Sequence, residues 1–159
     1  MRKFVAFLTI TGLILSCGGK KEEKKGGFEM NRTKKEVKAL NNVDEVPVDM
    51  NNKGIGPITS VEFDAQINTE LAAQGEKIYS TICIACHMAE KRMIGPALKG
   101  IYDIRSPEWV MNIILNPDGM LKEDPIAIAL LKEYNNAVML NQNLSQEDAR
   151  AIAEYLRTL

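Results

Sequence analysis

Residues 83–87 read Cys83-Ile84-Ala85-Cys86-His87, and they include the one histidine of the 159-residue chain. Two cysteines separated by two residues, with an imidazole directly after them, form the attachment pattern of a c-type haem. Each thiol can add to a vinyl group of the macrocycle, and His87 then lies beneath the iron as proximal ligand. A zinc half-site would need further Cys or His partners that the chain lacks, and a thioredoxin-like dithiol would need alternating strands and helices. One covalently bound haem c with its iron is therefore the expected cofactor.

Outward from the motif, the residues before it form an apolar stripe of Leu71, Gly75, Ile78, Tyr79 and Ile82 at helical spacing. After it, Ser106-Pro107 marks a capped helix start with Trp109, Val110, Ile113 and Ile114 on the buried side, and Asn116-Pro117 ends that helix. Asp124-Pro125 opens a helix carrying Ile128, Leu131 and Tyr134. Ser145 caps a last one, with Asp148 in its acidic first turn and Ala149, Ile152, Ala153, Leu156 and Leu159 as its stripe. The expectation is an all-α domain of about four helices around one haem, over residues 61–159.

The N-terminal third reads differently. Arg2 and Lys3 precede an apolar run from Phe4 to Leu15, too short for the roughly 20 residues of a membrane span but suited to an export signal over residues 1–16. The run ends Ile14-Leu15-Ser16-Cys17, which resembles a bacterial lipobox, with bulky Leu15 as a departure. Cys17 is then the expected lipid attachment site, and a multiply acylated cysteine anchors stably where a single chain does not. The protein is accordingly expected in the periplasm, held to a membrane as a lipoprotein. From Gly18 to Gly27 the chain is low-complexity and charged, and it stays polar to about Ser60, so residues 17–60 read as a flexible tether. Between Ser60 and Leu159 there are 14 acidic and 9 basic side chains, which disfavours nucleic acid as a partner and suits docking on a basic redox protein.

With the single histidine used, the sixth iron ligand is a methionine or the site is open. Of eight methionines, Met1 belongs to the signal and Met30 and Met50 to the tether; Met88 and Met93 follow the motif too closely to reach the opposite face, and Met111 sits among apolar helix neighbours as a core residue. Two remain: Met120, in the stretch Asn116-Pro117-Asp118-Gly119-Met120 read as a loop, and Met139, in Ala137-Val138-Met139-Leu140-Asn141.

From about Glu70 to the C-terminus the chain resembles a class I c-type cytochrome. The matching marks are the Cys83–His87 motif, Ile94-Gly95-Pro96-Ala97-Leu98-Lys99-Gly100, a central Trp109, a methionine loop before the last helix, and Ala153-Glu154-Tyr155-Leu156. The resemblance implies Met139 as the iron ligand, with Leu140 a departure from the proline common at that place. It implies that the Pro96 carbonyl fixes the His87 ring, that Gly95 admits close backbone approach to the macrocycle and that Leu98 packs on the haem face. It implies further that Arg105 or Trp109 hydrogen-bonds a haem propionate, with core packing an equal role for Trp109. Gly75, Tyr79 and Tyr155 resemble the crossing of the first and last helices.

The function implied is single-electron transfer between respiratory redox proteins, with no catalytic residue. Two other readings are a haem enzyme or gas- or peroxide-responsive protein in which the methionine dissociates, and a fixed subunit of an oxidase or reductase.

Overall fold

The computed structural model describes residues 46–159; the export segment, Cys17 and the first part of the tether lie outside them. Five α-helices are present among these residues: α1 (Thr69–Ile78), α2 (Pro107–Leu115), α3 (Pro117–Glu123), α4 (Pro125–Glu133) and α5 (Gln146–Leu156). The only strand-like feature among the described residues is an isolated bridge between Asp49 and Arg105.

The helix starts follow from capping chemistry. Asn68, Ser106, Asn116, Asp124 and Ser145 each accept a hydrogen bond from a backbone N–H of the first turn they open. In three of them a proline follows at the first helical position, where its missing N–H costs nothing. This corrects the expected count of four. Asn116-Pro117 stops α2 and also starts α3, because Asn116 Oδ1 accepts from the Gly119 N–H at 3.3 Å. Met120 therefore lies in a helix and not in a loop.

Helices α1 and α5 make the most extensive contact in the domain. Gly75 permits it: a Cβ there would overlap the Ala151 carbonyl of α5. Beside the crossing, the Tyr79 and Tyr155 rings pack with centroids 5.2 Å apart. The larger apolar cluster joins Ile101, Trp109, Val110, Met120, Ile126, Ala127, Ile152 and Leu156. A smaller one holds Ile58, Met111, Ala149 and Ala153, so Met111 is a core residue as expected. On α4, Ile126 and Ala127 are buried, while Ile128, Leu131 and Tyr134 are half-buried; Ile128 and Leu131 join neither cluster.

The expected tether to residue 60 is also shortened. Residues 46–61 run as a strap across α2 and α3, fixed by buried asparagine. Asn112, 1% exposed, donates to the Lys53 and Ile58 carbonyls at 2.8 and 2.9 Å and accepts from the Ile58 N–H at 3.0 Å. Asn116 donates to the Ile55 carbonyl, Ser106 to that of Asn52, and Asn52 to Asp124. A polar sequence reads as unfolded when its partners are distant side chains.

Candidate haem site

Helix α1 widens at its end into a turn over Tyr79–Cys83, closed by the Ile84 N–H on the Tyr79 carbonyl at 3.1 Å. The Cys83 carbonyl then gathers the N–H groups of both Cys86 and His87, at 3.0 and 2.9 Å. One turn of chain thus presents both thiols and the imidazole together. Neither thiol is bonded: Cys83 is half-buried and Cys86 exposed. Burial, with the Cys86 charge adding to it, pushes the Cys83 thiol up to about 11. Among the described residues no three His, Cys, Asp or Glu side chains cluster as a metal site.

The His87 Nδ1 lies 3.0 Å from the Pro96 carbonyl. A carbonyl only accepts, so Nδ1 carries the proton and the Nε2 lone pair is free for a metal. Tyr79 completes the setting by donating its hydroxyl to the His87 carbonyl at 2.8 Å. The loop is pulled under the ring by the Gly95 N–H on the Cys86 carbonyl, 2.9 Å. A Cβ on Gly95 would overlap the imidazole itself; the close approach expected with a macrocycle is in this structure an approach to His87. Leu98 packs against the larger apolar cluster and stays half-buried.

Arg105 is 2% exposed, and its Nε is a buried donor without a partner. Its Nη1 donates to the Ile104 carbonyl, and its guanidinium stands 5.4 Å from the Trp109 ring centroid. Burial lowers its pKa, against the opposing pull of Asp124. A buried N–H left unpaired costs about 1–3 kcal/mol, so the position has room for a further acceptor. Trp109 differs from Arg105. Its indole N–H donates to Asp124 Oδ1 at 3.0 Å, and the ring is buried in the core.

Of the two methionines left open, Met120 is 0% exposed, and its sulfur accepts the Ile55 N–H at 2.9 Å. It is a core residue under the strap. Met139 is half-buried in the segment between α4 and α5, which leaves α4 through Asn135 and Asn136 at φ 57° and 59°. The sequence gives no sign of Asn112 in this architecture and marks Asp124 only as a helix cap; Tyr79 is legible as part of the helix crossing, but not as the donor to the His87 carbonyl.

Two thiols one turn apart, an imidazole with a free Nε2, a buried guanidinium with one unpaired N–H and an apolar α4 face outside the core fit a covalently held haem. The helical fold and this site define a c-type haem protein. The family model for cytochrome c matches residues 72–159. Among solved structures, cytochrome c from Rhodothermus marinus is 45% identical, with a TM-score of 0.63, over 65% of this chain and 88% of that one. An engineered form of the Rhodothermus marinus protein bound to a carbene intermediate is likewise 45% identical, with a TM-score of 0.60 over the same shares. A further engineered form is 44% identical, with a TM-score of 0.62, over 65% of this chain and 89% of that one. No curated protein matches. The chain belongs to the cytochrome c family. Its cofactor is a covalently attached haem c, whose attachment motif Cys83 and Cys86 fit, and the family supports a role in electron transfer.

Proposed function

We propose that the protein is a monohaem carrier in which His87 Nε2 and the Met139 sulfur fill the two axial positions, and that it passes single electrons between redox proteins. When bound, the haem supplies the ferric–ferrous couple. His87 holds one face, and Pro96 fixes its ring so that the nitrogen does not have to reorient between oxidation states. Met139 closes the other face against water and small ligands. A sulfur ligand favours the reduced state relative to a second imidazole. Arg105 Nε donates to a propionate, balancing its charge inside the fold. The acidic haem domain docks on basic partner surfaces, and lipid on Cys17 with the residues before the strap holds the protein to a membrane on the periplasmic side.

The observation that carries the ligand assignment is the commitment of the Met120 sulfur to the Ile55 N–H, which leaves Met139 as the sulfur ahead of α5. The test is the ferric spectrum of the purified holoprotein. The sulfur-to-iron charge-transfer band is expected in the wild type, absent in Met139→Ala and retained in Met120→Ala. Ready carbon monoxide binding by the reduced wild type contradicts the carrier reading.

A further inference from the structure

Arg92 lies five residues beyond His87 in sequence, in the loop that Gly95 and Pro96 tie to the haem motif. Its guanidinium leaves that loop and grips the far end of α4. Nη1 donates to Glu133 Oε1 at 2.8 Å, Nη2 donates to the Glu133 carbonyl at 2.5 Å, and the guanidinium carbon sits 3.8 Å from the Tyr134 ring centroid. Glu133 is the last residue of α4, and Tyr134 is the first of the segment that leads to Met139. Backbone bonds hold residues 135–137 to the end of α4, and beyond Ala137 the segment makes few hydrogen bonds. Among the described residues, the side-chain hydrogen bonds within 137–144 are local ones, Gln142 to the Leu140 carbonyl and the Asn143 N–H to Asn141.

We propose that Arg92 is a positioning residue for the sixth ligand: it fastens the histidine loop to the root of the methionine segment and so sets how readily Met139 leaves the iron. The inference rests on the His87–Met139 reading above. An isolated exposed ion pair would do little. Here one planar fork meets a carboxylate, a helix-terminal carbonyl and an aromatic face together, so its order is shared among three contacts. The charge and the fork are both needed. Lysine retains the first and loses the second.

The experiment is an imidazole titration of the ferric holoprotein, following loss of the sulfur-to-iron band. Arg92→Ala is expected to bind imidazole about five- to tenfold more tightly than wild type, Arg92→Lys to fall between them, and Glu133→Gln to loosen the site less than Arg92→Ala. Glu154→Gln serves as a control, since it weakens the α5 side without touching the clasp, and its imidazole affinity is expected to equal that of wild type. If Arg92→Ala fails to accumulate, Arg92→Lys and Glu133→Gln carry the test. Wild-type affinity in the Arg92 and Glu133 variants, or an equal shift in Glu154→Gln, overturns the clasp and leaves the ligand assignment standing. A wild type without the band overturns the assignment, and the clasp with it.

Discussion

The strap side and the haem side of this domain solve opposite problems. Under the strap, Asn112 makes three bonds to backbone, and Asp124 takes the Trp109 indole, the Ala127 N–H and Asn52. On the haem side the thiols are free and no protein group claims the His87 Nε2, while Arg105, whose backbone bridges the strap at Asp49, buries its Nε without an acceptor. One region is complete as protein; the other is arranged to be completed by a cofactor. An unsatisfied buried donor is costly in a folded chain, so the unpaired Arg105 Nε marks a place where an acceptor fits.

The severest way to break the contrast is to remove the attachment. Cys83→Ser combined with Cys86→Ser is expected to leave no haem on the denatured chain, read by haem stain, and to abolish cooperative thermal unfolding, because the haem supplies buried area a domain this small lacks. Next in size is Asn112→Ala, which strips the strap of its three buried bonds. A loss of about 3 kcal/mol is expected in urea denaturation, with the sulfur-to-iron band unchanged.

Glu154 sharpens the comparison from the α1–α5 side. It is 1% exposed, yet it receives Arg150, Arg157 and the Asn68 N–H. Burial pushes its carboxyl up, but those hydrogen bonds and charges outweigh burial and hold it below the usual glutamate range. A depressed folded pKa contributes stability that is full above the unfolded value of about 4.3 and is lost as pH falls through the folded value. Glu154→Gln is thus expected to cost about 2 kcal/mol at neutral pH, the difference from wild type closing in acid; urea midpoints at several pH values check it. The smallest effect is expected for Met120→Leu. It keeps core volume and loses only the sulfur's contact with the Ile55 N–H, so about 1 kcal/mol in urea and an unaltered spectrum are the outcome.

These two sides also differ in how much of each was legible in sequence. The haem side was readable because its chemistry is local: Cys83, Cys86 and His87 lie within one turn, and Pro96 follows in the same loop. Helices α2, α4 and α5 were readable from Ser106-Pro107, Asp124-Pro125 and Ser145 with Asp148, since caps act within a few residues. Helix α3 was missed because Asn116-Pro117 gives one signal for both a stop and a start. The strap was missed for a different reason. Its backbone is held by Asn112, Asn116 and Ser106, more than fifty residues away in sequence, and residues 46–60 show neither periodicity of their own nor a long apolar run. Trp109 illustrates the same limit, since its indole partner, Asp124, is fixed by how α2 meets α4.

X-ray absorption at the iron edge of the ferric holoprotein tests the central claim most directly. One sulfur scatterer beside the nitrogens is expected in wild type and in Met120→Ala, and none in Met139→Ala. Sulfur at the iron in Met139→Ala, or its absence in wild type, contradicts the account.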